Sequence, residues 1–203
     1  TGVLVGTENT INGVGSYSWV ESAPSIAYSP VSQRFLVAWR TYPHAPLGGY
    51  VASRLVDVTG APVGANVVRL SAGFGRDPSV AWNSDTNQFG VAFGNENGPG
   101  TAGYMAFAVV SPADGTFTRN SFSLIAGFTY ITDLDYSSET QRYLMVWHQE
   151  PGGRSEVWAA EIAADGSIAA QGLITRLWPG YDALSVARNL VSRTFQIVSL
   201  AQG

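Results

Sequence analysis

Ser25-Ile-Ala-Tyr-Ser-Pro-Val-Ser-Gln-Arg-Phe-Leu-Val-Ala-Trp39 returns as Ser79-Val-Ala-Trp-Asn-Ser-Asp-Thr-Asn-Gln-Phe-Gly-Val-Ala-Phe93, and again as Asp133-Leu-Asp-Tyr-Ser-Ser-Glu-Thr-Gln-Arg-Tyr-Leu-Met-Val-Trp147. A fainter copy, Ser185 to Ser199, stands near the end of the chain. The opening residues lie 54, 54 and 52 positions apart, a period in the range of propeller blades and too long for most solenoids. The chain is therefore an array of one supersecondary unit.

Within each copy, four residues alternate small and large (Ser25, Ile26, Ala27, Tyr28), which predicts a strand with a crowded face and a bulky face. Six polar or turn-forming residues follow, the length of a hairpin loop. The next run, Phe35 to Trp39, is apolar on both faces, so it must lie between covered sheet faces. Gly/Pro-rich loops come next, Arg40 to Gly49, Gly94 to Gly103 and His148 to Glu156. A third strand follows, marked by Tyr50, Tyr104 and Trp158 at the same period. Turns ending in Gly60, Gly115 and Gly166 lead to a fourth. Four antiparallel strands per repeat, the second buried on both sides, predict an all-β propeller rather than a meandering sandwich. No segment carries helical periodicity with caps.

The fourth copy has only two strands, whereas residues 1–23 hold two β-prone stretches, Val3 to Val5 and Val14 to Val20. Pairing these ends closes a four-bladed ring whose last blade is shared between the termini, which protects its strand edges. The expected organisation is a single domain over 1–203. Its repeats lie near 24–77, 78–131 and 132–183, with 184–203 completed by 1–23. An open half-blade offers the alternative of a homo-oligomer, or of a structural subunit in a larger surface assembly.

The unit, small-apolar-small-aromatic, a six-residue turn, then aromatic-x-Val-x-Trp, resembles bacterial secreted β-propeller repeats. The resemblance spans nearly the whole chain and implies a secreted or cell-surface protein. The aspartate box, the WD dipeptide and the kelch double glycine are absent.

Composition narrows the function classes. The 203 residues are 45% hydrophobic and 13% charged, with formal net charge -4, so the chain can bury a core and carries no basic stripe for nucleic acid. All 11 basic residues are arginine. There is no cysteine, which removes disulfides, thiol catalysis and zinc-cysteine sites. No apolar run reaches the length of a membrane-spanning helix.

In such a blade, the second-to-third loops and the inter-blade connections share one face of the ring. Trp19, Phe74, Phe128, Tyr130, Trp178 and Tyr181 stand in the inter-blade connections. Tyr42, His44, Asn95, Glu96, Asn97, His148, Gln149, Glu150 and Arg154 stand in the loops. Aromatic planes beside amide, carboxylate and guanidinium groups suit a sugar, whose C–H faces stack while its hydroxyls need paired donors and acceptors. The leading expectation is thus a non-enzymatic extracellular module binding carbohydrate or another polymer.

Asp133 and Asp135 interrupt a position that is small in the other copies. Two residues apart on a strand, they point to one face, where they could hold calcium or work as an acid/base pair. The bland reading is a salt link or hydrogen bonds to neighbouring backbone, or to Arg188 of the next repeat. Together with His148 and Glu150 they are the candidates for the alternative function, a polysaccharide hydrolase or lyase. The two histidines, His44 and His148, lack metal-ligand spacing and are expected to be exposed in loops. No cofactor motif is present.

Overall fold

The structure is a computed structural model that describes residues 11, 19–43, 49–71, 73–96, 103–122, 128–150, 155–177, 181–189, 192 and 194–201. The first sheet runs β1 (Trp19–Ser29), β2 (Arg34–Pro43), β3 (Tyr50–Asp57) and β4 (Pro62–Arg69). The second holds β5 (Phe74–Asn83), β6 (Gln88–Glu96), β7 (Gly103–Val110) and β8 (Phe117–Phe122). The third holds β9 (Phe128–Ser137), β10 (Arg142–Glu150), β11 (Ser155–Ala163) and β12 (Ile168–Leu177). β13 (Tyr181–Asn189) and β14 (Thr194–Ala201) form a two-stranded fourth sheet. Each sheet is an antiparallel meander in chain order, and among the described residues there is no helix.

The first strands of the sheets pack in sequence, β1 on β5, β5 on β9 and β9 on β13. This is the radial stacking of a propeller, with bulky side chains of one sheet set against the small face of the one before it. Leu36, Ala38, Val51 and Leu55 meet Val80, Phe89, Val91 and Phe93 at the first seam. Ala92, Met105 and Phe107 meet Leu134, Tyr136, Tyr143 and Trp147 at the second. Val146, Val157 and Ala159 meet Leu184 and Val186 at the third. The second strand of each four-stranded sheet is buried on both faces, as its sequence requires, whereas β14 of the two-stranded sheet leaves Gln196 and Val198 exposed.

The hairpins repeat in detail. Gln33, Asn87 and Gln141, spaced by the repeat period, all take left-handed φ between 50° and 54° in the first turn. Gly60, Gly115 and Gly166, which end the second turn, have φ of 77° to 85°, a conformation that side chains resist. Gly90 has a different reason. It stands where the other copies have Leu36 and Leu144, and a Cβ there would lie 2.5 Å from Tyr143 and 2.6 Å from Phe107.

Closure differs from expectation. No packing comparable to the three seams joins β13 to β1 among the described residues, so the sheets form an open arc. Trp19 and Val20 belong to β1, paired with Pro43 and Tyr42, and not to an outer strand of the last blade. Residues 1–10 and 12–18 lie outside the described residues. Ile11 is described, and it packs against Val37, Trp39, Ala52 and Val56 on the outward face of the first sheet. Its carbonyl accepts a 2.7 Å bond from Arg54.

The strands also outrun their expected ends. β2, β6 and β10 continue to Pro43, Glu96 and Glu150, through residues expected to be loop. The cause is a buried polar residue in each copy, Thr41, Asn95 and Gln149, which stays in the ladder because the sheet ends are still covered by neighbours.

Candidate functional site

One end of the arc collects the second-to-third loops and the inter-blade connections. At this end every inner strand breaks register at the same level. The shifts fall between Ser22 and Ser25, Arg76 and Ser79, Tyr130 and Thr132, and Tyr181 and Ala183. Bulges re-aim side chains and are frequent beside active sites. In two of them a residue preceding proline adopts positive φ, 47° at Ala23 and 39° at Asp77. Such backbone costs on the order of 1–3 kcal/mol and tends to persist where a site needs it. Asp77 thus joins a carboxylate to a strained inner-strand bulge. The repeat comparison could have found it, because Ala23-Pro24 and Asp77-Pro78 stand 54 residues apart, but strand alternation alone gives no sign of a bulge.

The same end carries three polar clusters. In the first sheet, Thr41 Oγ1 donates to Glu21 Oε2 at 3.0 Å, and the Arg40 guanidinium stacks 3.8 Å over the Tyr42 ring. In the second, Asn95 donates to the Tyr104 hydroxyl and accepts from the Gly73 amide at 3.2 Å. In the third, Trp158 Nε1 and Arg176 Nε donate to Glu156 at 2.9 and 3.1 Å, and the Trp147 and Trp158 rings stack 6.3 Å apart. Burial pushes the Glu156 carboxyl up, but hydrogen bonds from Trp158, Arg176 and Gln149 and the Arg176 charge outweigh it, leaving Glu156 below its ordinary value. Glu156 is therefore an anchored carboxylate, ionised at neutral pH.

The residues singled out in the sequence scatter. Trp19, Phe74, Phe128, Tyr130 and Tyr181 occupy the first residues of inner strands instead of loops. Phe74 is half-buried. Tyr42 lies in β2 under Arg40, and Glu96 is the last residue of β6. His44, Asn97, Arg154 and Trp178 lie outside the described residues.

His148 is corrected: it sits within β10, 3% exposed, and burial lowers its pKa to about 4. Position 148 follows the doubly covered Trp147, and the polar identity of its side chain misled the loop reading. Glu150 ends β10, half-buried and opposite Phe128.

Asp133 and Asp135 do share a face, and they tie inner strands together. Asp133 Oδ1 accepts from Ser79 Oγ at 2.9 Å and from the Leu134 amide at 2.9 Å, while Oδ2 accepts from Ser185 Oγ and the Val186 amide, both at 2.8 Å. Asp135 accepts from the Tyr136 and Arg188 amides at 2.8 and 2.7 Å. All four oxygens are thus engaged, each of them by a backbone amide. Among the described residues, no three His, Asp or Glu side chains converge as a metal site.

No protein-family model matches the chain, and no curated protein matches its sequence. Solved structures do share its fold. One is an N-acetylgalactosamine deacetylase from F. plautii in complex with blood group B trisaccharide. Its TM-score is 0.59 at 11% identity, over 86% of this chain and 60% of that one. A fructofuranosidase from Schwanniomyces occidentalis complexed with fructosylnystose gives 0.58 at 12%, over 88% and 40%. An exo-beta-1,3-galactanase from Phanerochaete chrysosporium with beta-1,3-galactotriose gives 0.59 at 12%, over 89% and 44%.

These likenesses define the class: an all-β, propeller-like fold of four-stranded antiparallel sheets shared with carbohydrate-active enzymes. The chain spans about 40–60% of the length of those proteins. The expectation of a non-enzymatic binding module is corrected by them, since these three similar structures are of enzymes named for or bound to sugars. Sequence reasoning had no means to separate the two, because binders and catalysts use the same aromatic and carboxylate groups.

Proposed function

We propose that this chain is the propeller part of an enzyme that hydrolyses bonds in a polysaccharide outside the cell, and that the chemistry lies at the bulged end of the inner strands. The observation that carries the reading is the fold, matched over most of this chain by enzymes bound to or named for oligosaccharides. Glycan hydrolysis needs two carboxyl groups of different protonation across the scissile bond. Asp77 is the first candidate, and Glu21 and Glu150, at the same end of β1 and β10, are the candidates for the second. Glu156 is already neutralised by Arg176 and is better placed to hold that ion pair. Asp133 and Asp135, with every oxygen engaged, hold the frame.

The test is release of reducing ends or acyl groups from a panel of plant, fungal and bacterial polysaccharides. Wild-type protein should release product, and Asp77→Asn should lower kcat by at least about 100-fold, the usual worth of a general acid or base. Product release undiminished in Asp77→Asn would remove that residue, and no release from any polymer would remove the reading.

The finer architecture belongs to the same proposal: residues 1–18 complete the fourth sheet beside β14 and seat Ser185 and Ala187 against Ile26 and Tyr28, closing four blades. Ile11 on the outward face of the first sheet supports it, as does the repeated seam geometry. At two internal seams the first residue of one copy accepts the amide of the second residue of the next, Val80 to Ser25 at 3.0 Å and Val186 to Asp133 at 2.8 Å. Ser185 and Ile26 are the corresponding pair at the open ends. The chain has no cysteine, so the double variant Ile26→Cys, Ser185→Cys reads closure directly. A disulfide within the monomer is expected. A dimer-only disulfide would show closure between copies, and none at all would leave the arc open.

A further inference from the structure

At the opposite end of the arc, where the hairpin turns gather, the seams between the sheets can be compared with each other. In the first seam the space between turns is bridged. Arg34 Nη1 reaches from β2 to the carbonyls of Pro112 and Ala113, at 2.6 and 2.5 Å, in the β7–β8 turn. Asn87 Oδ1 closes the inner side, accepting from Ser29 Oγ at 2.6 Å and from Trp82 Nε1 at 3.2 Å.

In the second seam the same repeat positions hold other residues. Gln88 replaces Arg34, Tyr136 replaces Trp82, and the facing turn is met from β8 instead, where Asn120 Nδ2 donates to the Asp165 carbonyl at 3.2 Å. The facing turn, Ala163 to Ser167, is one residue shorter than Ser111 to Thr116, both being closed by the same pair of backbone bonds. A cleft of about 410 Å³ is left, lined by Asp85, Thr86, Tyr136, Thr140, Arg142 and Asp165 with the Ala163 and Ala164 methyls. Its size lies within the range of small-molecule sites.

The walls are held in place before any ligand arrives. Asn83 Oδ1 accepts from the Asp85 and Thr86 amides at 2.9 and 3.1 Å, which sets that turn. The Tyr136 hydroxyl donates to Asp85 Oδ2 at 2.7 Å. Ser167 donates to Asp165 Oδ1 from its amide at 2.9 Å and its hydroxyl at 2.6 Å. Preorganised walls reduce the ordering cost of binding.

We propose that this cleft is a second carbohydrate site that takes one sugar residue or a short oligosaccharide, at the end of the arc opposite Asp77. Two fixed carboxylates, a guanidinium and the Thr86 and Thr140 hydroxyls supply both acceptors and donors for a dense set of hydroxyls. The two alanine methyls offer an apolar floor for the C–H side of a ring. Two carboxylates against one guanidinium leave the cleft net negative, which suits a neutral polyol better than an anion. The choice of sugar rests on the reading of the chain as glycan-active, but the site does not share residues with it.

The experiment is saturation-transfer NMR with the methyl glycosides of glucose, galactose, mannose and xylose. The proteins are wild type, Gln88→Arg, Asp85→Asn and Asp77→Asn, each checked for an unchanged thermal transition. Gln88→Arg rebuilds the bridge of the first seam inside the second. Transfer to at least one glycoside is expected in wild type and in Asp77→Asn. Binding about tenfold weaker or worse is expected in Asp85→Asn, the loss of one charge-assisted bond, and abolished binding in Gln88→Arg. No transfer with any glycoside, or full binding by Gln88→Arg, overturns the proposal. Should Gln88→Arg not fold, full binding by Asp85→Asn overturns it equally. Polysaccharide hydrolysis without glycoside binding would sink this site alone, and glycoside binding without hydrolysis would sink the hydrolase reading and leave this site standing.

Discussion

The second seam and the outward side of the first sheet are made from the same repeat positions and have opposite fates. Leu134 and Tyr136 are 5% and 6% exposed, whereas their counterparts Ile26 and Tyr28 are 59% and 39% exposed. The residues are of the same kind, so burial here is conferred by the neighbour and not by the side chain. The second seam has a preceding sheet to cover it and the first sheet has none among the described residues. An array of this sort stores its core energy in interfaces, so each end of the array is an interface awaiting a partner.

The comparison can be broken most forcefully at Gly90. Valine there must displace Tyr143 and Phe107, two of the largest buried rings of the second seam. Overpacking of that kind costs about 3 kcal/mol or more, and urea denaturation should show it. A cost below about 1 kcal/mol would mean that the seam is looser than its packing.

Next in size are two truncations of large apolar side chains at one repeat position. Leu134→Ala should cost about 3 kcal/mol by cavity formation. The closed ring proposed above requires Ile26→Ala to cost nearly as much. If Ile26→Ala costs under about 0.5 kcal/mol, the outward face is open in solution and closure fails.

His148 allows the third seam to be read by pH. Its folded pKa of about 4 lies below the ordinary 6.5, so the unfolded chain binds a proton that the folded chain refuses. The contribution is complete above about pH 6.5 and is lost progressively as pH falls toward 4, by up to about 3 kcal/mol. Denaturation at a series of pH values should show this slope in wild type and lack it in His148→Gln. An unchanged slope in the variant would assign it to other groups.

The smallest expected change is at Asp133. Asp133→Ala leaves the Val186 amide and two serine hydroxyls without their acceptor, at a cost of about 1–3 kcal/mol. The effect should come with faster hydrogen exchange at Val186 and not at Val80, whose amide is held by Ser25. Equal exchange at both would show that the fourth sheet does not depend on this tie.

The blade was legible in the repeat, since doubly apolar runs between turn signals admit few arrangements. Gly60, Gly115 and Gly166 marked their turns for the same reason. The candidate site was much less legible. Asp77 lies in a bulge, and bulges leave no mark on alternation. Thr41, Asn95 and Gln149 look like loop residues, and their polar character gives no hint that neighbouring sheets cover them. His148 misled in the same way. The cleft beside Asp85 is invisible until Gln88 is seen to stand in the place of Arg34, with the facing turn one residue shorter.

From sequence alone came the period, the meander within each unit and the double burial of its second strand, because these follow from local alternation, turn residues and the count of apolar faces. The tertiary structure decided which faces are covered, where Asp133 and Asp135 send their hydrogen bonds, and that no sheet among the described residues covers Ile26. Those outcomes depend on how one sheet is set against the next, a relation between residues about 54 positions apart that no local pattern encodes.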